Sequence, residues 1–241
     1  MIDKSTKVTV ISGAGFSRAS GMPTFRGKDG LWNNYSAEEL ATPSAFARNP
    51  ELVWEWYRWR LGIVLSALPN PAHEILARLE SEGLDVSILT QNVDDLHERA
   101  GSTSVQHLHG KIREARCTGC KERFTWTKEL LEEHRTAPAC PACGSLFRPD
   151  VVWFGESLDR QVLDTCTKRL AMTDVLLVAG TSGVVYPVAY FPLMAKQMNS
   201  SVKIYEFNLE NTPVSSLATR TVLGPVEKTL VDFFTEEVSL S

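Results

Sequence analysis

Four short apolar runs, separated by segments with helical spacing, constrain this chain more than any other feature. They are Lys7-Val8-Thr9-Val10-Ile11, Val86-Ser87-Ile88-Leu89-Thr90, Asp174-Val175-Leu176-Leu177-Val178-Ala179 and Val202-Lys203-Ile204-Tyr205-Glu206-Phe207. Near-continuous apolarity over so few residues marks strands covered on both faces. Their alternation with helices predicts an α/β fold, a Rossmann-like doubly wound parallel sheet. Such sheets bind ligands beyond the carboxyl ends of their strands. Here those ends are Ser12-Gly13-Ala14-Gly15, Gln91-Asn92-Val93-Asp94, Gly180-Thr181-Ser182-Gly183 and Asn208.

Helical spacing predicts helices over 42–47, with Thr42 as N-cap and Pro43 at the first position, over 52–68, and over 72–81 with Gly83 as the stop. Further helices are expected over 157–172, capped by Ser157, and from about Glu227. The polar, glycine-bearing stretch 28–35 is expected to be a mobile loop that closes over ligand. With 241 residues, 43% of them hydrophobic, the chain can bury the core of one large domain, or of one large and one small. Twenty-five basic against 29 acidic residues give a net charge of −4 without blocks of like charge, which argues against nucleic acid and anionic membranes as partners. The N-terminus leads straight into a strand and no run approaches the roughly 18 apolar residues of a membrane span, so a cytoplasmic protein is expected.

Two pairs, Cys117-x-x-Cys120 and Cys140-x-x-Cys143, are separated by 19 residues. Two such turns supply the four soft ligands of a tetrahedral zinc. A full set of thiolates leaves no position for water, so one structural zinc is expected. The competing account is four unconnected thiols. Cys166 lies outside the pairs and reads as a packed helical residue.

Gly13 and Gly15 allow a tight turn and close approach to a diphosphate, with unpaired amides opening the next helix. The dehydrogenase fingerprint is incomplete, because Arg18 stands where a third glycine belongs and no second strand precedes Asp29. Asn92 and Asp94 fit either a helix cap or a grip on a carboxamide ring. Spacing does not choose among the five histidines.

The continuation Gly13-Ala14-Gly15-x-Ser17-x-x-Ser20-Gly21-x-Pro23-x-Phe25-Arg26-Gly27 resembles the cofactor loop of the sirtuins, NAD-dependent protein deacylases. Gln91-Asn92-x-Asp94, His109-Gly110, Gly180-Thr181-Ser182 and Asn208 follow in the order of that family, so the resemblance spans Val8 to about Val226. It implies an NAD-binding domain of 1–30, 84–111 and 151–241 and a small domain of 31–83 and 112–150, the latter holding a helical and a zinc module. It further implies that an acyl-lysine oxygen displaces nicotinamide and that His109 then deprotonates a ribose hydroxyl, giving O-acyl-ADP-ribose. Gln91 would orient the ribose, and Asn92 and Asp94 would hold the carboxamide. Gly13, Ala14, Gly15, Ser17, Gly180, Thr181, Ser182, Asn208 and Val226 would line diphosphate and adenosine, with Phe25 and Arg26 over the reacting ribose. Val152 and Phe154 would pair with an extended substrate peptide. Phe16, Met22, Thr24 and Lys111 depart from the usual pattern.

Tyr57 and Arg60 are three apart, so they share a helix face. They fit a packed tyrosine with a solvated arginine. With Ala41 and Thr24 they also resemble the sirtuin branch that removes succinyl and malonyl groups, where guanidinium and phenol take the acyl carboxylate. The implied partners are acyl-lysine proteins or peptides, and a monomer is expected. ADP-ribosyl transfer on the same cofactor and a non-catalytic NAD or ADP-ribose sensor are the alternatives.

Overall fold

The computed structural model describes residues 2–23 and 36–238. Strands β1 (Lys7–Ser12), β2 (Asp85–Thr90), β3 (Val105–His107), β7 (Val175–Ala179), β8 (Lys203–Asn208) and β9 (Arg220–Leu223) form one parallel sheet in the order β3-β2-β1-β7-β8-β9. Strands β4 (Gly110–Cys117), β5 (Arg123–Thr125) and β6 (Phe147–Val151) form an antiparallel sheet in the order β5-β4-β6. The four apolar runs become β1, β2, β7 and β8. Edge strands β3 and β9 pair on one side only, so they need no apolar run, and residues such as Gln106 and Thr221 conceal them from pattern reading.

The period of two sorts the strand side chains between two cores. Val8, Val10, Ile88 and Leu177 pack under α4 (Pro71–Ser81) and α9 (Val226–Glu237), while Ile11, Leu89, Leu176 and Ile204 pack under α7 (Arg160–Ala171) and α8 (Phe191–Met198). A third core joins α2 (Pro43–Arg48) and α3 (Pro50–Ser66) to β4, β6 and α6 (Lys128–Glu133), with the Trp54 and Trp126 rings 4.9 Å apart. Helix α1 (Ala37–Leu40) and α5 (Leu96–Ala100) complete the described α-helices. None of these is long and apolar enough to cross a membrane.

Caps account for most boundaries. Thr42 Oγ1 accepts from Ala45 N at 3.0 Å, as expected. Helix α3 begins earlier than its periodicity, since Asn49 caps it with Pro50 at the first position. Helix α7 starts at Arg160 and not after Ser157, because Asp159 Oδ1 takes Gln161 N at 2.7 Å. The helix that follows β1 is a 3₁₀ helix, Ala14–Ser20. Phe16 fills the space beneath it, fully buried and 4.9 Å, ring to ring, from both His73 and His97.

Candidate functional site

The loops after β1 and β7 meet backbone to backbone. Gly13 N donates to Ala179 O at 3.0 Å and Gly15 N to Gly180 O at 2.8 Å. Gly180 has φ 62°, and a Cβ on it would lie 2.3 Å from Phe16 N, so nothing larger than glycine fits. A Cβ on Gly13 or Gly15 would come within 2.7 or 2.8 Å of residues 180–181. These glycines therefore weld two loops together. The amides of Gly13, Gly15 and Phe16 are spent on protein carbonyls, which corrects the expectation of a row of unpaired donors; Ala14 N keeps no partner among the described residues.

Strand β2 delivers the next group. Asn92 Nδ2 donates to Gly13 O at 3.0 Å and Ser17 Oγ at 3.1 Å, tying the β2 end to the glycine loop. Ser17 Oγ donates to Asp94 Oδ2 at 3.1 Å, and Asp94 Oδ1 accepts from Leu96 N at 3.2 Å. Asp94 thus serves as a helix-starting acceptor, as the cap reading expects, while its other oxygen faces the glycine loop. Burial pushes its carboxyl up, against the lowering pull of Leu96 N and Ser17 Oγ. Gln91 Nε2 donates to Thr181 Oγ1 at 2.8 Å. Asn208 Nδ2 donates to Thr181 O at 2.8 Å, so β2, β7 and β8 are tied across their ends.

His109 precedes β4, and its Nδ1 lies 3.0 Å from Gln91 O. A carbonyl only accepts, so Nδ1 carries the proton and Nε2 the lone pair. No described residue bonds Nε2. Burial lowers the His109 pKa below 6.5, opposed by the Gln91 carbonyl, and keeps the imidazole neutral. Gly110 has φ 77°, and a Cβ there would strike Asp150 O at 2.2 Å, which explains why glycine follows this histidine. His107 and His97 are structural: His107 Nε2 meets Glu98 at 2.8 Å, and His97 Nε2 meets Ser12 Oγ at 3.0 Å.

Two cavities flank these strand ends. One is bordered by Ala14, Ser17, Met22, Arg60, Asn92 and Asp94, and the other by Gln91, Thr181, Gly183 and Val214. Arg60 is 6% exposed, its guanidinium carbon 4.7 Å from the Trp56 ring and 5.7 Å from the Tyr57 ring, so the solvated-arginine account does not describe it. Tyr57 and Ala41 are buried in the third core. Val226 turns its side chain into the core with Phe207, and Ser182 is exposed. Thr24, Phe25, Arg26 and the stretch 28–35 lie outside the described residues. Lys111 pairs with Glu98 at 2.8 Å.

The segment after β6 is held from three sides. Val152 N donates to His109 O, Phe154 N to Ala41 O, both at 2.9 Å, and Trp153 N to Glu156 at 2.9 Å. Its amides are therefore unavailable to a pairing strand, which limits the expected peptide pairing to its carbonyls. Sequence reasoning passed over Trp153, Arg148 and Glu156; the signal was a buried indole N–H, which needs an acceptor.

The sulfurs of Cys117, Cys120, Cys140 and Cys143 all lie within 4.8 Å of one another, with closest pairs at 3.4 and 3.6 Å. Tetrahedral zinc with bonds of about 2.3 Å holds its sulfurs about 3.8 Å apart, so the four ligands fit one ion and leave no open position. Cys117 ends β4 of the antiparallel sheet, and Cys120, Cys140 and Cys143 lie in the turns that follow β4 and precede β6. Cys166 is buried in α7, as expected.

The Sir2 family model matches residues 13–187. An NAD-dependent protein deacylase of Pyrococcus abyssi is 49% identical over 221 residues, covering 90% of this chain and 88% of its own. A solved Sir2 homologue in complex with NAD superposes with a TM-score of 0.87 at 47% identity, covering 96% of this chain and 90% of that one. A Sir2 protein solved with a deacetylated p53 peptide and 3′-O-acetyl ADP-ribose has a TM-score of 0.84 at 35% identity, covering 96% and 93%.

Proposed function

Because this chain belongs to the Sir2 family, we propose that it is an NAD-dependent protein-lysine deacylase that prefers succinyl and malonyl groups and removes acetyl more weakly. The cavity in which Asn92, Asp94 and Ser17 meet Arg60 carries this reading, since it sets a buried cation beside the residues assigned to the carboxamide. The relative from Pyrococcus abyssi is named as a deacylase, and solved relatives hold NAD or a p53 peptide.

When bound, NAD supplies the ribosyl carbon that receives the acyl oxygen, with nicotinamide as leaving group. The glycine weld, Ala14, Ser17, Thr181, Ser182, Asn208 and Val226 would form its diphosphate and adenosine seat, and Phe25 and Arg26 would cover it. Asn92, held by Gly13 O and Ser17, would present its carbonyl oxygen to the carboxamide, and Asp94, held by Ser17 and Leu96 N, would face it from the other side. Gln91, fastened to Thr181, orients the ribose. His109 Nε2, its lone pair kept there by the Gln91 carbonyl, would take a proton from a ribose hydroxyl. Tyr57 and Arg60 bind the distal carboxylate by charge-assisted bonds, and Val152 and Phe154 flank the peptide. Division at 31–83 and 112–150, a monomer and a cytoplasmic site of action belong to the same reading.

Incubation of the protein and NAD with acetyl-, succinyl- and malonyl-lysine peptides, followed by mass, tests it. Free lysine, nicotinamide and O-acyl-ADP-ribose should form together. Nicotinamide without free lysine would indicate ADP-ribosyl transfer, and binding without turnover a sensor.

A further inference from the structure

Tyr57 and Trp153 are 2% and 3% exposed, and the indole Nε1 donates to the Tyr57 hydroxyl at 2.9 Å. The indole is itself clamped. The Arg148 guanidinium carbon lies 3.3 Å from its ring centroid, and Glu156 grips Arg148 at 2.6 and 3.0 Å while accepting Trp153 N at 2.9 Å. The Phe46 ring closes another side at 5.4 Å. An indole N–H only donates, so the phenol oxygen is the acceptor in this bond. Its own proton must then point elsewhere, and no described residue accepts it. Arg60 lies along the same ring and borders the cavity shared with Asn92 and Asp94.

We infer that Trp153 is a positioning residue for acyl-group selection: by occupying a lone pair of the Tyr57 hydroxyl, it aims the phenolic proton at the carboxylate of an acidic acyl group beside Arg60. This rests on the succinyl and malonyl reading above. A phenol without the indole donor rotates freely and must be ordered by the substrate, at a cost paid in binding. An acetyl group carries no carboxylate for that proton to meet. Phenylalanine at 153 keeps an aromatic ring under Arg148 while removing the donor and part of the ring volume; the loss of volume acts on both substrates, whereas the loss of the donor acts on the ratio between them.

The test is a double-mutant cycle of Trp153→Phe and Tyr57→Phe, with kcat and KM measured separately for succinyl- and acetyl-lysine peptides, and succinyl-peptide affinity measured without NAD. Each single variant should lower the succinyl-to-acetyl ratio of kcat/KM, Trp153→Phe by about 3- to 10-fold and mainly through KM. In the Tyr57→Phe background, Trp153→Phe should lower the ratio no further. A merely structural tryptophan would lower both substrates alike and leave the ratio unchanged. An unchanged ratio in Trp153→Phe, or losses that multiply in the double variant, would overturn the inference while leaving the acid preference standing. Wild-type protein that favours acetyl-lysine would instead refute the acid preference, and the inference with it.

Discussion

His109 Nδ1 and the main-chain oxygen of Gln91 are 3.0 Å apart, so one residue supplies both a side chain held on Thr181 and the backbone acceptor that sets the tautomer of the imidazole. The active form of the base is neutral, and burial lowers its pKa below 6.5. Activity should therefore be flat through neutral pH and fall only as acid protonates His109 below that value. His109→Ala should lose about 10²- to 10⁴-fold in turnover with NAD affinity largely kept. Gln91→Ala retains the carbonyl, so it should lower turnover without moving the acid limb. Near-normal turnover in His109→Ala would sink the mechanism.

Replacing Gly180 should be a folding lesion first. A Cβ at φ 62° and 2.3 Å from Phe16 N forces the two glycine loops apart. Gly180→Ala is expected to cost about 2 kcal/mol or more, or roughly 4 to 8 °C in Tm. Thermal melts of the NAD-free protein check this, and an unshifted Tm would show that the loops do not need their contact.

Zinc should be needed for folding and take no part in acyl transfer. Metal analysis is expected to find about one ion per chain, held by Cys117, Cys120, Cys140 and Cys143. Cys140→Ser should lose metal and melt earlier. Full zinc content with an unchanged Tm would contradict the assignment.

Arg60→Met should erase the preference for succinyl over acetyl. Losing a buried charged partner is worth about 2 to 5 kcal/mol, well over tenfold in selectivity. Competition between the two peptides in one reaction measures the ratio directly, and an Arg60→Met ratio equal to wild type would remove Arg60 from recognition.

His73 should make the fold acid-sensitive. Its Nδ1 accepts Asn70 N at 3.2 Å to close the cap of α4, and burial lowers its pKa from 6.5 to about 3. The unfolded chain therefore binds the proton more readily than the native state. Stability is full above pH 6.5 and declines as pH falls from there toward about 3. His97, lowered in the same direction and by the same cause, adds to the slope. Tm followed from pH 7 to pH 4 should fall, and His73→Gln, which can still close the cap, should flatten the curve.

The central sheet was legible because its strands are buried on both faces and carry their pattern without help from the rest of the chain. Edge strands β3 and β9 were not, since each pairs with a single neighbour and carries no continuous apolar run. The cysteine set was legible because zinc chemistry dictates spacing. The glycine loop was half legible: its turn was evident, but its amide partners come from Ala179 and Gly180, far away in sequence. By spacing alone Arg60 reads as a solvated residue, and only the packing of Trp56 and Tyr57 around it shows otherwise. Trp153 carried no motif at all.

The three consecutive amides of Val152, Trp153 and Phe154 are already committed to His109, Glu156 and Ala41. A guest chain laid along this rail finds hydrogen-bond takers and no givers. It must bring its own N–H groups to the exchange, so proline or N-methylated residues flanking the modified lysine should be refused there, whatever acyl group the lysine bears.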